Sequence, residues 1–396
     1  MTGLQEWNWK RVVKHVGVVL LIFSVLVTTV VGGIVLTNID NVGRLVRVVQ
    51  LIRSDYLEKV TNDQLVEGAT KGIVEELGDP YSTYMNAKEN DELYQMLEGK
   101  FGGVGIVLSL KDPKKLVVLR PIKNSPASKA GIQPGDVVSK INSAETSGME
   151  QDKAVGMMRG DPGTKVVLAL YRESTNKTYT VSLTRENITV PTVDGEALPG
   201  HSDIAYVNIS QFASDTGFEL KDTLNNMNIK TFKGLILDMR YNHGGELKAA
   251  VQVASYFIPD GPVVYIVDKQ GHVDTKMAAG TYLGMPMVVL VNEESASAAE
   301  IVAGAIKDKG TASLVGVKTF GKGIVQTIFP LDGGTSVKLT TAKYLTPNKI
   351  DIHKKGIEPD VKVELEKGQQ ATLSPTDTNF DPQLQKALQT LQEKLK

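Results

Sequence analysis

The hydrophobic pattern of the chain changes period several times. Val16 to Leu36 is an uncharged run broken only by Ser, Thr and Gly. As a helix rising about 1.5 Å per residue, it would span roughly 30 Å, the thickness of a hydrocarbon core. Lys10, Arg11 and Lys14 precede it, whereas Asp40 and Arg44 follow. That distribution leaves the N-terminus in the cytoplasm and exports everything after the run. A cleaved signal peptide is the rival reading, but the run is long for one and no small-x-small site precedes Asn38. The expectation is a single-pass cell-membrane anchor over residues 16–36, within a segment 1–37 that includes a short cytoplasmic stub.

Residues 38–98 read as helical. Val42, Leu45, Val46, Val49 and Ile52 keep helical spacing, as do Leu65, Ala69, Ile73 and Leu77, and Gly78-Asp79-Pro80 ends the second helix. This predicts a helical spacer, with a dimerising or capping role equally open. The texture changes over 99–186, where short alternating strands are punctuated by glycine-rich turns: F-G-G-V-G-I-V-L-S-L from Phe101, Leu116–Leu119, a helix over 149–160, and strands at Lys165–Tyr171 and Thr178–Leu183. Residues 187–365 alternate strands with helices, the pattern of an α/β layered core. Here Ile204–Ile209, Gly234–Arg240, Pro262–Val267 and Met287–Val291 read as strands, and Thr216–Met227 and Glu246–Phe257 as helices. Strand character returns at Gly323–Phe329, Ser336–Tyr344 and Val361–Leu365. The tail 366–396 is polar, with Leu384, Leu388, Leu391 and Leu395 at the spacing of a short amphipathic helix.

Composition narrows the chemistry. The 396 residues carry a net charge of -1, which gives no basis for a nucleic-acid surface. The absence of cysteine removes disulfides, thiolate nucleophiles and cysteine metal sites. Five dispersed histidines (His15, His201, His243, His272 and His353) form no H-x-x-x-H pair, so no metal and no cofactor is expected. A histidine base is disfavoured because the G-x-S-x-G elbow is missing.

The stretch from Asn292 to Gln326 carries a more specific signal. An apolar strand enters N-E-E-S-A-S-A-A-E-I-V-A-G-A, in which Ala298, Ile301, Val302, Ala305 and Ile306 form one apolar helical face. A serine at the head of that helix sits near its positive dipole end. Ser297 and Ser295 both qualify, and mechanism alone does not separate them. Lys322 stands between two glycines, with Phe320, Ile324 and Val325 around it and no acid in sequence between Asp308 and Asp332. Burial without acidic neighbours is what lowers a lysine from about 10.4 towards a usable general base. Asp308 lies about 16 Å along the helix from Ser297, which suits a structural role. The loop Arg240-Tyr241-Asn242-His243-Gly244-Gly245 leaves a core strand and could turn backbone N–H groups towards a substrate oxyanion. Each feature also has an ordinary reading as an N-cap, a turn or a strand-to-helix connection.

Residues 101–185 resemble a PDZ domain. Gly103-Val104-Gly105-Ile106 matches the carboxylate-binding loop, and Ala130-Gly131-Ile132, Gly135-Asp136-Val137-Val138 and Ile141-Asn142 follow in register. Behind it, the segments L-I-L-D-M-R-x-N-x-G-G, N-x-x-S-A-S-A-A-E-I-V-A-G-A, G-x-K-T-F-G-K-G-x-V-Q and H-K-K-G-I-E-P-D-V-K-V occur in order. Over about residues 45–365 the chain resembles the carboxyl-terminal processing peptidases (tail-specific proteases), a serine peptidase family. The resemblance implies an α/β core of crotonase- or Clp-protease-like layers with an inserted PDZ domain that binds substrate C-termini. It implies Ser297 as nucleophile, Lys322 as general base and Gln326 as the residue orienting the lysine. For the oxyanion hole it implies Gly244 or Gly245 with Ala298. His243 stands where the family has proline or a small residue, which puts the rigidity of that loop in question.

In a regular strand Lys322 and Gln326 would lie about 13 Å apart, so the glycines are expected to bend the chain there. Arg159, in the turn after the PDZ helix, is a candidate relay between peptide binding and the core. The implied protein is a membrane-anchored endopeptidase acting outside the cytoplasm on protein tails, its oligomeric state open. The competing class is a non-catalytic tail-binding adaptor, which the intact Ser297, Lys322 and Gln326 disfavour.

Overall fold

A computed structural model describes residues 9–37, 39–109, 115–365 and 381–396. The chain divides into two compact units, Met1–Gly78 and Asp79–Lys396. The first is helical: α1 (Trp9–Thr37), α2 (Ile39–Asp55) and α3 (Asn62–Glu75). Thr61 starts α3 with a capping box to Gln64, satisfying orphan amides at the helix start. The expected anchor lies within α1. The side chains of residues 30–36 fall outside those described, and among the described residues no helix is long and apolar enough to cross a membrane.

The second unit opens with a turn in which Asp79 accepts from the Tyr81 amide (3.1 Å) and the Ser82 hydroxyl (2.6 Å). Then come β1 (Thr83–Met85), α4 (Ala87–Glu98) and β2 (Lys100–Gly103). The sequence predicts one helical region up to residue 98, but residues 79–98 belong to the second unit. The β-rich module follows as β3 (Ile106–Leu108), β4 (Leu116–Pro121), α5 (Pro126–Lys129), β5 (Val137–Ile141), β6 (Ala144–Glu145), α6 (Gln151–Met158), β7 (Lys165–Arg172) and β8 (Lys177–Thr184). Its sheet runs β3-β4-β5-β7-β8, with β6 on β5. Alternate residues Val166, Leu168 and Leu170 of β7 are fully buried beside Val138 and Ile141, as a one-sided antiparallel sheet requires. β9 (Glu186–Thr189) pairs with β2, so entry and exit strands meet at the neck of the module.

The core continues through β10 (Val193–Leu198), β11 (His201–Ile209), α7 (Thr216–Asn226), β12 (Gly234–Asp238), α8 (Leu247–Phe257), β13 (Pro262–Asp268), β14 (Val273–Met277), β15 (Met287–Val291), α9 (Ala298–Lys309), β16 (Ser313–Gly316), β17 (Ile324–Pro330), β18 (Ser336–Leu345), β19 (Val361–Lys362) and α10 (Pro382–Lys394). The central sheet is β10-β11-β12-β15-β16-β19, parallel from β11 to β19. β12 and β15 are buried along their whole length, which explains the apolar runs Leu235–Leu237 and Met287–Val291. Leu235 and Leu237 pack on the side of α8 and α9. Ile236, Val288 and Leu290 pack against Leu384, Ala387 and Leu391 of α10 on the other. The terminal helix is therefore a structural layer of the core. Residues 366–380 of the expected polar tail lie outside the described residues. A second, antiparallel sheet, β1-β18-β13-β14 with β17 on β18, brings the 79–85 segment to the site.

Candidate active site

The apolar strand β15 ends at a corner that turns directly into α9, and the two candidate serines differ sharply there. Ser295 is fully buried. Its hydroxyl donates to the Met239 carbonyl (2.8 Å) and accepts from the Asn292 amide (2.9 Å). That hydroxyl is committed to holding two strand ends together. Ser297, half-buried at the head of α9, has φ 53 and ψ −112. A non-glycine residue in such a region costs on the order of 1–3 kcal/mol and persists only where the surroundings over-determine it. The geometry therefore favours Ser297 as the reactive serine.

Glu300 supplies much of that over-determination, and the sequence reading does not single it out. Its side chain is fully buried one turn into α9. One oxygen accepts from the Ser297 amide (3.0 Å) and the Lys322 amide (2.8 Å). The other accepts from the Thr319 hydroxyl (2.6 Å) and the Gly321 amide (2.8 Å). A single carboxylate thus ties the backbone of Ser297 to that of Lys322. Its helix-N3 position, where capping boxes place Glu, is the signal that could have found it.

Lys322 lies in the loop between β16 and β17. A Cβ on Gly321 would meet the Gly356 amide nitrogen at 2.8 Å, so glycine is needed for the loop to lie against residues 353–357. The Lys354 amide donates to the Gly321 carbonyl (2.8 Å), and the Ile357 amide to the Thr319 hydroxyl (2.7 Å). Burial pulls the Lys322 ammonium below its ordinary pKa, helped by the charge of Lys338 and opposed by Asp79 and Glu300. Sequence order leaves this lysine without acidic neighbours; the fold brings two. Its Nζ stands 4.8 Å from the centroid of the Tyr81 ring, a cation–π contact the sequence reading missed. Among the described residues no hydrogen bond joins Ser297 Oγ to Lys322 Nζ. Catalytic contacts are often long without substrate. Gln326 turns its amide to the Ile324 carbonyl (3.4 Å). The strand register shifts between Val325 and Gln326, but among the described residues no hydrogen bond joins Gln326 to Lys322.

In the Arg240–Gly245 loop, Gly244 comes close to Ser297. At φ 98, a Cβ there would lie 2.8 Å from Ser297 Cβ and 2.9 Å from the Ala298 amide nitrogen. The Gly244 N–H donates to Asn242 Oδ1 (2.9 Å) in this conformation. Gly245 packs instead against Phe212, whose carbonyl a Cβ would strike at 2.0 Å. His243 points to solvent, 3.6 Å from Glu294, away from any catalytic role. The start of the loop is fixed from below by fully buried Arg240. It pairs with Asp238 (2.6 Å) and with Asp381 (2.8 Å), which also caps α10. Asp308 accepts from the Asn348 amide (2.7 Å), a structural use.

In the β-rich module, Ile106 begins edge strand β3, open to strand addition. The carbonyls of Val104 and Gly105 receive the Ala127 and Ile122 amides (2.9 and 2.8 Å), bracing the Gly103–Ile106 loop. Arg159 ends α6, and its guanidinium lies 4.5 Å from the centroid of the Phe101 ring on β2. That places it at the neck joining module and core.

Comparison with known proteins agrees with this architecture. The family model "Peptidase family S41" matches residues 203–363 and the "PDZ domain" model residues 117–172. The model "Activating protease CtpB N-terminal domain" matches residues 33–89. The chain is 41% identical over 324 residues to the "Carboxy-terminal processing protease CtpA" of Bacillus subtilis, covering 81% of this chain and 69% of that protein. The chain belongs to peptidase family S41. It is a serine-type C-terminal processing protease carrying a PDZ domain. A "Probable CtpA-like serine protease" of Staphylococcus epidermidis is 35% identical over 382 residues, 94% of this chain and 77% of the relative. Among solved structures, a putative S41 protease from Bacteroides fragilis aligns with a TM-score of 0.56 at 16% identity, over 87% of this chain and 96% of that one. That likeness shows a shared overall fold.

Proposed function

We propose that this S41 protease is a membrane-anchored endopeptidase that cleaves extracytoplasmic proteins through a Ser297–Lys322 dyad, with substrate C-termini recognised by its PDZ domain. The observation that carries the dyad is the shared anchorage on Glu300, whose carboxylate holds the backbone amides of both residues. Neutral Lys322 takes the Ser297 proton as Oγ attacks the scissile carbonyl. The resulting oxyanion forms beside Gly244 and the Ala298 amide, at the positive end of α9. Collapse releases the amine, which takes the proton from Lys322, and leaves an acyl ester on Ser297. Water, deprotonated by Lys322, then hydrolyses that ester. No step calls for a metal or cofactor. Gln326 is assigned to orienting Lys322, as the family resemblance implies.

The PDZ role rests on the Gly103–Ile106 loop beside an edge strand. Arg159 at the neck is the proposed relay. The anchor rests on the uncharged run 16–36 with Lys10, Arg11 and Lys14 before it.

The decisive experiment incubates the full chain, in detergent, with an unstructured protein bearing an apolar C-terminus. Ser297→Ala and Lys322→Ala are each expected to abolish cleavage, while their thermal unfolding stays close to wild type. Cleavage at the parental rate by either variant would overturn the dyad. Arg159→Ala is expected to slow cleavage of tailed substrates, and an unchanged rate would remove the relay. N-terminal sequencing of the cell-associated protein tests the anchor, which a start beyond Leu36 would exclude.

A further inference from the structure

The Ser297 and Lys322 amides share one buried side chain, and their carbonyls share another. Tyr344 lies on β18, only 1% exposed, with its ring in the main core. Its hydroxyl is 3.0 Å from the Ser297 carbonyl oxygen and 2.6 Å from that of Lys322. Its backbone amide donates to the Gly323 carbonyl (3.1 Å), so the strand that carries the ring also grips the residue after the lysine.

We infer that Tyr344 is a positioning residue for catalysis, its hydroxyl fixing the peptide groups of the nucleophile and the base relative to each other. The inference rests on the Ser297–Lys322 reading and deepens it. A tyrosine serving only as core filling would need its ring, and phenylalanine would pack the same volume. This hydroxyl is instead buried between two carbonyls whose residues belong to different loops, a position tolerable only because it is hydrogen-bonded. The two contacts are unequal in consequence. The Ser297 carbonyl already accepts from the Ile301 amide of α9 (3.0 Å), whereas Lys322 sits in a loop without helical bonds of its own. Tyr344 therefore acts mainly on the base.

The device also suits a lysine base chemically. A phenol donates to carbonyls only while it keeps its proton. Burial, followed by the charge of Glu300, holds the Tyr344 hydroxyl well above its ordinary pKa. The brace thus stays intact at the alkaline pH where a lysine is neutral and an exposed tyrosine would begin to ionise.

The test is Tyr344→Phe in the full chain, which deletes one oxygen and keeps the ring. Expected is a fall in kcat of about tenfold to a hundredfold, the scale of a small misplacement of reacting groups. KM should stay within about twofold, because the hydroxyl touches no substrate-binding element. A kcat per folded molecule equal to wild type, or a loss residing in KM, overturns the inference. So does a variant that cannot be recovered folded, since the hydroxyl would then be holding the fold and not the pair. Ser297→Ala and Lys322→Ala run beside it: if either keeps wild-type kcat, the dyad itself fails, whereas two inactive controls with an unimpaired Tyr344→Phe sink only the brace.

Discussion

The Ser297 corner and the Lys322 loop, the proposed sources of nucleophile and base, are built in opposite ways. The corner is largely local. Strand β15, the Asn292–Ser295 bond, the Ser297–Glu300 bond and helix α9 lie within one continuous stretch. The lysine loop has no regular structure and takes its shape from distant residues: Glu300, Ile357, Tyr344 and Tyr81. A strained nucleophile can be held by the secondary structure around it. A base whose proton affinity must be tuned has to be surrounded by groups from several parts of the chain.

Removing the carboxylate that holds the backbone amides of both regions should have the largest effect. Glu300→Ala leaves three amides and a hydroxyl without their acceptor, at about 1–3 kcal/mol for each one left buried and unsatisfied. We expect kcat to fall on the order of 10²-fold or more, together with a clearly lower urea midpoint. Near-normal turnover would mean that corner and loop are positioned independently.

Asp381→Ala probes the support beneath the oxyanion loop. It strips one partner from buried Arg240, which keeps Asp238 and Gln383, and should cost about 1–3 kcal/mol of unfolding free energy, read by denaturant titration. An unchanged midpoint would show that α10 is not needed to seat the loop. Within the corner, Ser295→Ala should lose about 1–3 kcal/mol of stability while keeping turnover within severalfold of wild type. Loss of all activity in a folded Ser295→Ala protein would reverse the assignment of the two serines.

In the loop, activity should follow the neutral form of Lys322. The kcat/KM profile should therefore rise with pH through a limb lying below the ordinary lysine value, because burial disfavours the ammonium. The linked stability has the same sign. The unfolded chain binds this proton more tightly, so stability increases with pH between the folded and unfolded pKa values and is lost below the folded one. A profile flat from pH 6 to 10 would argue against a lysine base. The smallest effect is expected from Tyr81→Leu, which removes a contact favouring the ammonium and should move the limb to lower pH with little change in its plateau. A shift to higher pH would show that Tyr81 acts through packing and not through its ring face.

The module boundaries, the strand-to-helix corner and the glycine-flanked lysine were legible because periodicity and turn chemistry are local signals. Within 79–98 the break at Gly78-Asp79-Pro80 and the helical character of α4 were legible, but β1 and the Tyr81 contact were not, because a short strand and a cation–π contact leave no periodic trace. The terminal helix was legible as amphipathic, but which surface its leucines cover depends on the sheet it meets.

The sequence by itself determined the β/α layering, the inserted PDZ domain, the family, and a serine and a lysine worth testing. The family resemblance pointed to Ser297 over Ser295, and only the tertiary structure supplies a physical reason for that preference, since the Ser295 hydroxyl is already spent on Met239 and Asn292. The fold alone also brought Asp79 and Glu300 to a lysine that sequence order leaves without acidic neighbours. The physical reason is the same in both cases: proton affinity and hydroxyl availability are set by what lies within a few ångströms, and those neighbours come from all along the chain.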